Sequence, residues 1–363
     1  MKATIIFIAM VIISGGIYCQ TPLDDANWET TNPFFQDEFT TFPISSTVWN
    51  IYNCKCPYPG PDNYQTWIDR PENVTSNGSE MLLSVTDDGP FLCNSCSNVP
   101  IYTKKYIIPF MESRDVIPPL FQTFQYGFFE SEITMPLVNG CNSAFWLWDT
   151  DQHSYYREID ITETWSGRTD NHNSESQLHY NQNVNTTALH ISSTPVDDPY
   201  RTDGRIFYMS DYTRPHKYAV EWTPSKIIWY LDDKIIRNSV NPGIYDRMHI
   251  LFDIALFQGD TYFMYPEWWG PFSDPDSPAT MKVGYIKVYK YKCGDKPLSE
   301  CQIDFNTLTY EVRPYIKIGG SGCINSVPSE MNVSLRAEQF IEINGDFSVP
   351  LGSSLYLDVN ACD

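Results

Sequence analysis

Hydrophobic positions along this chain fall in short β-branched and aromatic runs broken by Gly, Pro, Asn and Asp, and helical periodicity of useful length is nearly absent. The pattern predicts an all-β protein. Its clearest unit is a double hairpin: a strand over Tyr218 to Trp222, a turn at Thr223-Pro224-Ser225-Lys226, a strand over Ile227 to Leu231, then Asp232-Asp233 turning into Lys234-Ile235-Ile236. Proline and serine suit the first turn, and paired aspartates tolerate the tight backbone of the second.

One run puts charge where a strand wants none: Glu158-Ile159-Asp160-Ile161-Thr162-Glu163, followed by Trp165. On a regular strand Glu158 and Asp160 share one face while Ile159 and Ile161 point into the core, and Glu163 falls on the wrong side. A β-bulge at Ile161 and Thr162, adding one residue, returns Glu163 to the face of the other two carboxylates. The run therefore predicts a bulged strand. Glu and Asp are poor strand formers, and this acidic face follows closely on Ala144-Phe145-Trp146-Leu147-Trp148, so it reads as a groove with aromatic neighbours rather than a solvated edge. Three carboxyl groups this close cannot all ionise freely, so one keeps a proton near neutrality. One ionised and one protonated carboxyl about 5–5.5 Å apart are what retaining glycoside hydrolysis requires. The outer pair has Cα atoms about 13 Å apart along such a strand, a gap that a concave twist and two long Glu side chains must close.

With these residues in view, the chain resembles glycoside hydrolase family 16, in its bacterial laminarinase, agarase and carrageenase group. The matching segments are Tyr126-Gly127-Phe128-Phe129-Glu130, Asn142-Ser143-Ala144-Phe145-Trp146-Leu147, the acidic run in its longer E-x-D-x-x-E form, His216-Lys217-Tyr218-Ala219-Val220-Glu221-Trp222-Thr223-Pro224, and Pro278-Ala279-Thr280-Met281 with Tyr285-Ile286-Lys287-Val288-Tyr289. They occur in the family's order over about residues 34–292. The resemblance implies a concanavalin A-like jelly-roll β-sandwich, with Glu158 as nucleophile, Glu163 as acid/base and Asp160 between them tuning the shared charge. It implies a secreted, retaining endo-β-glycosidase acting on a polysaccharide, first a laminarin-like β-1,3-glucan. The alternatives are a galactan hydrolase of the agarase, porphyranase or carrageenase type, or a silent lectin on the same sandwich. Trp146, Trp148 and Trp165 are candidates for stacking on sugar rings, with a packing role in the sandwich open to one of the first two. His179 and Gln258 are further candidate substrate contacts, with Trp268 and Trp269 shaping the groove.

Two departures from the family change the picture. Many members hold a structural calcium through an early acidic residue and an Asp in the last core strand; here Glu38 is present but Gly284 stands at the Asp position, so no metal or other cofactor is expected. The Gly-Gly and Trp of the laminarinase pattern are replaced by Asp253-Ile254-Ala255-Leu256-Phe257-Gln258-Gly259-Asp260, which brings the galactans close behind β-1,3-glucan.

Length and composition add compartment and partners. The 363 residues allow one large sandwich and a small second unit. Met1-Lys2, an apolar stretch from Ala3 to Ile13 and then Ser14-Gly15-Gly16 read as a signal peptide over residues 1–19, too short for a membrane span. The catalytic sandwich is expected over residues 20–292 and a Cys-containing β module over residues 293–363. Ten cysteines in an exported chain read as disulfides, with a four-thiolate zinc site from Cys54, Cys56, Cys93 and Cys96 as the rival; Cys141 reads as a buried hydrophobe. A net charge of −21 argues against nucleic acid and anionic membranes as partners; a secreted or surface-bound monomer is expected. Phosphate-binding glycine loops, serine-nucleophile elbows and zinc-protease helices are missing from the sequence.

Overall fold

The computed structural model describes residues 28–52, 67–69, 71–86, 91–92, 103–104, 106–113, 123–136, 138, 141–149, 157–168, 182–191, 201–202, 204–207, 211, 214–224, 226–244, 246–256, 279–290, 292, 294, 296–306 and 312–359. Two eight-stranded antiparallel sheets form its body. The first runs Arg201–Thr202, Gln182–Ile191, Arg157–Arg168, Cys141–Trp148, His249–Leu256, Phe110–Ser113 and Trp49–Ile51, with Arg205–Phe207 also on Gln182–Ile191. The second runs Lys234–Val240, Lys226–Leu231, His216–Trp222, Gly127–Thr134, Thr280–Tyr289, Met81–Ser84 and Val74–Ser76, with Phe35–Asp37 on Thr280–Tyr289. The all-β, jelly-roll expectation holds.

Strand alternation builds the core between the sheets. The first sheet sends in Phe145, Leu147, Ile159, Ile161, Ile250, Phe252 and Ile254, and the second meets them with Phe129, Ile133, Val220, Trp222, Trp229 and Val288. Phe145 and Phe252, partners in adjacent strands, stack with ring centroids 4.8 Å apart. The outer face of the second sheet is also covered: Phe128, Ala219, Ile228, Tyr230 and Tyr289 pack with Trp28 and Val312 from beyond the sheet. Only the first sheet is left with an outward face for chemistry among the described strands.

The double hairpin lies where its residues place it, with strands His216–Trp222, Lys226–Leu231 and Lys234–Val240. Asp232 and Asp233 both take positive φ, 47° and 66°, as a tight hairpin matched to strand twist requires. The Asp232 carboxylate braces the turn by accepting the Lys217 N–H at 3.0 Å.

The last sixty residues differ in pairing. Leu298–Glu300, Ile316–Ser326 and Ile341–Ser348 form one parallel sheet, and Asn332–Ala337 and Ser354–Val359 a second. The chain alternates between the two, so like residues stack: Ile316 on Ile341, Ile318 on Ile343, Leu335 on Leu357. Parallel pairing needs connections longer than a hairpin turn, and here Asn332–Ala337 lies in the connection from Ile316–Ser326 to Ile341–Ser348, and Ile341–Ser348 in that from Asn332–Ala337 to Ser354–Val359. Cys301 and Cys323 form a disulfide across this region. Tyr356 anchors it to the sandwich, its ring 5.7 Å from Tyr126 and its hydroxyl accepting from Gln125 Nε2 at 3.1 Å. Cys141 is a buried free thiol, pushed up to about 12 by burial. The remaining cysteines lie outside the described residues, as do residues 1–27. Among the described residues no helix is long and apolar enough to cross a membrane.

Candidate active site

The bulge is present, at Ile161. Against Cys141–Trp148, Thr162 pairs with Phe145 and Asp160 with Trp146, leaving Ile161 as the extra residue; against Gln182–Ile191, the step from Asp160 to Glu163 spans only Ala188 to Thr186. Ile159 and Ile161 are buried in the core at 0% and 2% exposure. Glu158, Asp160 and Glu163 consequently share the outward face of the first sheet.

A bulge disrupts the ladder locally. Trp229, from the opposite sheet, crosses the sandwich and donates its indole N–H to the Asp160 carbonyl at 2.8 Å. Arg237, buried in the next strand, lies 4.2 Å over the Trp229 ring and donates to the carbonyl and hydroxyl of Thr187 at 2.9 and 3.2 Å. The distortion is thereby held from below by two residues whose sequence neighbourhood carried no chemical signal.

Register turns the outward face into a grid. One row runs Glu158, Trp148, His249; the next Asp160, Trp146, Leu251, Glu112, Asn50; the next Glu163, Ala144, Asp253, Phe110; and the last Trp165, Asn142, Ala255. Trp146 and Trp148 lie on this face and stack on each other with centroids 5.8 Å apart, so neither packs in the sandwich core. The core positions between and before them belong to Leu147 and Phe145. Phe110 meets Trp146 edge-on at 6.3 Å, and Tyr52 meets Phe110 at 4.9 Å, extending the aromatic floor. Trp165 shares this face, half-buried opposite Asn142. His179 and Gln258, with Trp268 and Trp269, lie outside the described residues.

Electrostatics follow from crowding and burial. Asp160, 2% exposed, has its carboxyl raised well above the usual range, first by burial and then by the charge of Glu163, against the opposing effect of a hydrogen bond with Glu158. Asn142 Nδ2 donates to Glu163 Oε1 at 3.3 Å. A fourth acid stands in the same face: Asp253, buried and pushed up to about 7 by burial, accepts the Trp146 indole N–H at 2.7 Å. Asp253 escaped the sequence reading because it sits in the apolar run His249 to Leu256, yet a lone carboxylate in such a run is itself a usable signal. Glu38, discussed above for calcium, pairs with Lys287 at 3.1 Å.

A sandwich with a bulged acidic strand above an aromatic floor has close relatives. The model described as glycosyl hydrolases family 16 matches residues 119–250. Through that segment the chain is similar to glycosyl hydrolase family 16. The chain is 28% identical over 276 residues to the endo-1,3-1,4-β-glycanase EglC of Rhizobium meliloti, covering 70% of itself and 51% of that protein. It is 26% identical over 281 residues to the κ-carrageenase of Pseudoalteromonas carrageenovora, covering 70% of itself and 62% of that enzyme. It thus spans about half the length of EglC and under two thirds of the carrageenase. Among solved structures, the catalytic domain of an endo-1,3-β-glucanase (laminarinase) from Thermotoga petrophila superimposes with a TM-score of 0.53 at 16% identity, over 73% of this chain and 99% of that one. Porphyranase B from Zobellia galactanivorans gives 0.52 at 18% identity, over 70% of this chain and 90% of that one.

Proposed function

We propose that this chain is a secreted, monomeric, retaining endo-β-glycosidase that cleaves a polysaccharide by double displacement. The observation that carries this reading is the bulge at Ile161, which puts Glu163 on the side of Glu158 and Asp160. Glu158 attacks the anomeric carbon, forming a glycosyl ester, while Glu163 gives its proton to the departing glycosidic oxygen. Glu163, now a carboxylate, takes a proton from water, which attacks the same carbon from the vacated side and releases the sugar with retained configuration. Asp160, raised by burial and hydrogen-bonded with Glu158, stands between the two Glu residues, holds the nucleophile in place and tunes the charge they share. Trp146, Trp148 and Trp165 supply apolar floor for sugar rings.

A laminarin-like or mixed-linkage β-glucan is the first substrate in this reading, supported by relatives named as β-glycanases and a β-glucanase. A galactan is the second, supported by the κ-carrageenase relative. Export is supported by the Cys301–Cys323 disulfide. Release of reducing ends from laminarin, lichenan, agarose, porphyran and κ-carrageenan tests the reading and ranks these substrates. Glu158→Gln is expected to abolish cleavage with the circular dichroism spectrum unchanged; undiminished turnover by that variant refutes the assignment.

A further inference from the structure

Asp253 is a buried acid on this face that the proposed chemistry does not use. It lies on the neighbour of Cys141–Trp148, in register with Ala144, which is in turn in register with Glu163. Only the Ala144 methyl stands in that row between the two carboxyl groups, and two interstrand spacings put their Cα atoms about 10 Å apart. The opposite side of Asp253 is bounded by Phe110. Its hydrogen bond comes from the indole N–H of Trp146, one row along on the intervening strand. The titratable groups on the same face are Glu158, Asp160 and Glu163 from the acidic strand, Glu112 from Phe110–Ser113 and His249 on its own strand, with Arg237 beneath from the other sheet.

We propose that Asp253 is a positioning residue of this cleft, holding the Trp146 indole as floor for a sugar ring and setting the field in which Glu163 works. The inference deepens the glycosidase reading and rests on it. Carboxylate and protonated carboxyl differ in strength as acceptors from an N–H, so the grip on Trp146 tightens as Asp253 ionises. Asp253 holds its proton up to about pH 7, and Glu163 and Glu158 contribute to that shift. The interaction is mutual: once Asp253 is charged, it opposes loss of the proton that Glu163 needs as acid. Coulomb's law over about 10 Å at an effective dielectric constant of about 20 makes this worth about 1 pH unit.

The test uses the full chain as wild type, Asp253→Asn and Trp146→Phe. Without substrate, tryptophan fluorescence titrated from about pH 5 to about pH 9 is expected to show a transition near pH 7 that Asp253→Asn and Trp146→Phe both lack. With substrate, the alkaline limb of kcat/KM in Asp253→Asn is expected to move down by about 1 pH unit, whereas loss of a merely structural contact lowers activity equally at every pH. Identical fluorescence titrations in wild type and Asp253→Asn, or an unmoved alkaline limb in an active Asp253→Asn, overturn the inference. A wild type inactive on every polysaccharide overturns the glycosidase reading instead, and the fluorescence titration then still decides whether Asp253 governs Trp146.

Discussion

Both sheets of this sandwich bury carboxyl groups on their outward faces, but they treat them in opposite ways. On the second sheet, Glu130 accepts from the Tyr285 hydroxyl at 2.9 Å and lies 3.6 Å from Lys217 Nζ, while Glu221 accepts from the Tyr230 hydroxyl at 3.0 Å and lies 2.9 Å from Lys226 Nζ. On the first sheet, Asp160 is tied to Glu158, and Asp253 to an indole N–H, with further carboxylates as their electrostatic neighbours. A buried carboxylate paired with a lysine is structural; a buried carboxyl beside other carboxyls has its pKa raised and is available for acid chemistry. The difference lies in what faces each acid, since all four are buried carboxyl groups.

The sharpest way to break this comparison is to neutralise one acid of each kind. Glu163→Gln is expected to lower kcat on an unactivated polysaccharide by roughly 10²–10⁴-fold, as removal of a general acid does. A loss below tenfold would move Glu163 out of the proton-transfer role.

The next effect is on stability. Asp253 has a folded-state pKa of about 7 against an ordinary 3.8, so it favours the folded state fully below about pH 4 and that contribution is lost as pH rises through 7. Asp253→Asn keeps an acceptor for the Trp146 N–H and never ionises. It is expected to match wild type near pH 4 and to be more stable at pH 8, by at most about 4 kcal/mol, measured by urea unfolding at both pH values. Equal stability at pH 8 would mean that Asp253 ionises freely in the folded protein.

Smaller again is the effect of removing the strut beneath the bulge. Trp229→Phe deletes the donor to the Asp160 carbonyl and is expected to cost about 1–3 kcal/mol, with kcat falling more than KM changes because the carboxyl groups lose their spacing. A variant destabilised to that extent but kinetically unaltered would show that the bulge holds without it. Smallest is Glu221→Gln, which weakens the pair with Lys226 and is expected to cost about 1 kcal/mol in thermal or urea unfolding and leave turnover unchanged. Lost turnover in that variant would erase the contrast between the two faces.

Much of this was legible in the chain. The E-x-D-x-x-E spacing is compatible with three acids on one face only if a residue is added between Asp160 and Glu163, so the bulge followed from a period of two and a count of residues. The hairpins from His216 to Val240 followed from turn chemistry at Thr223 to Lys226 and Asp232-Asp233. These are local matters, settled by residues adjacent in the chain.

Sequence alone therefore determined the all-β class, the acidic strand and its kink, because strand alternation and turn propensity act between near neighbours. Tertiary structure alone decided that Trp146 and Trp148 face the acids, that Trp229 and Arg237 brace the bulge from the opposite sheet, that Asp253 stands across Ala144 from Glu163, and that the C-terminal strands pair in parallel. Each of these depends on which strands lie side by side, and that order is set by burying one face of each sheet against the other, a property of the whole chain that no short run of residues encodes.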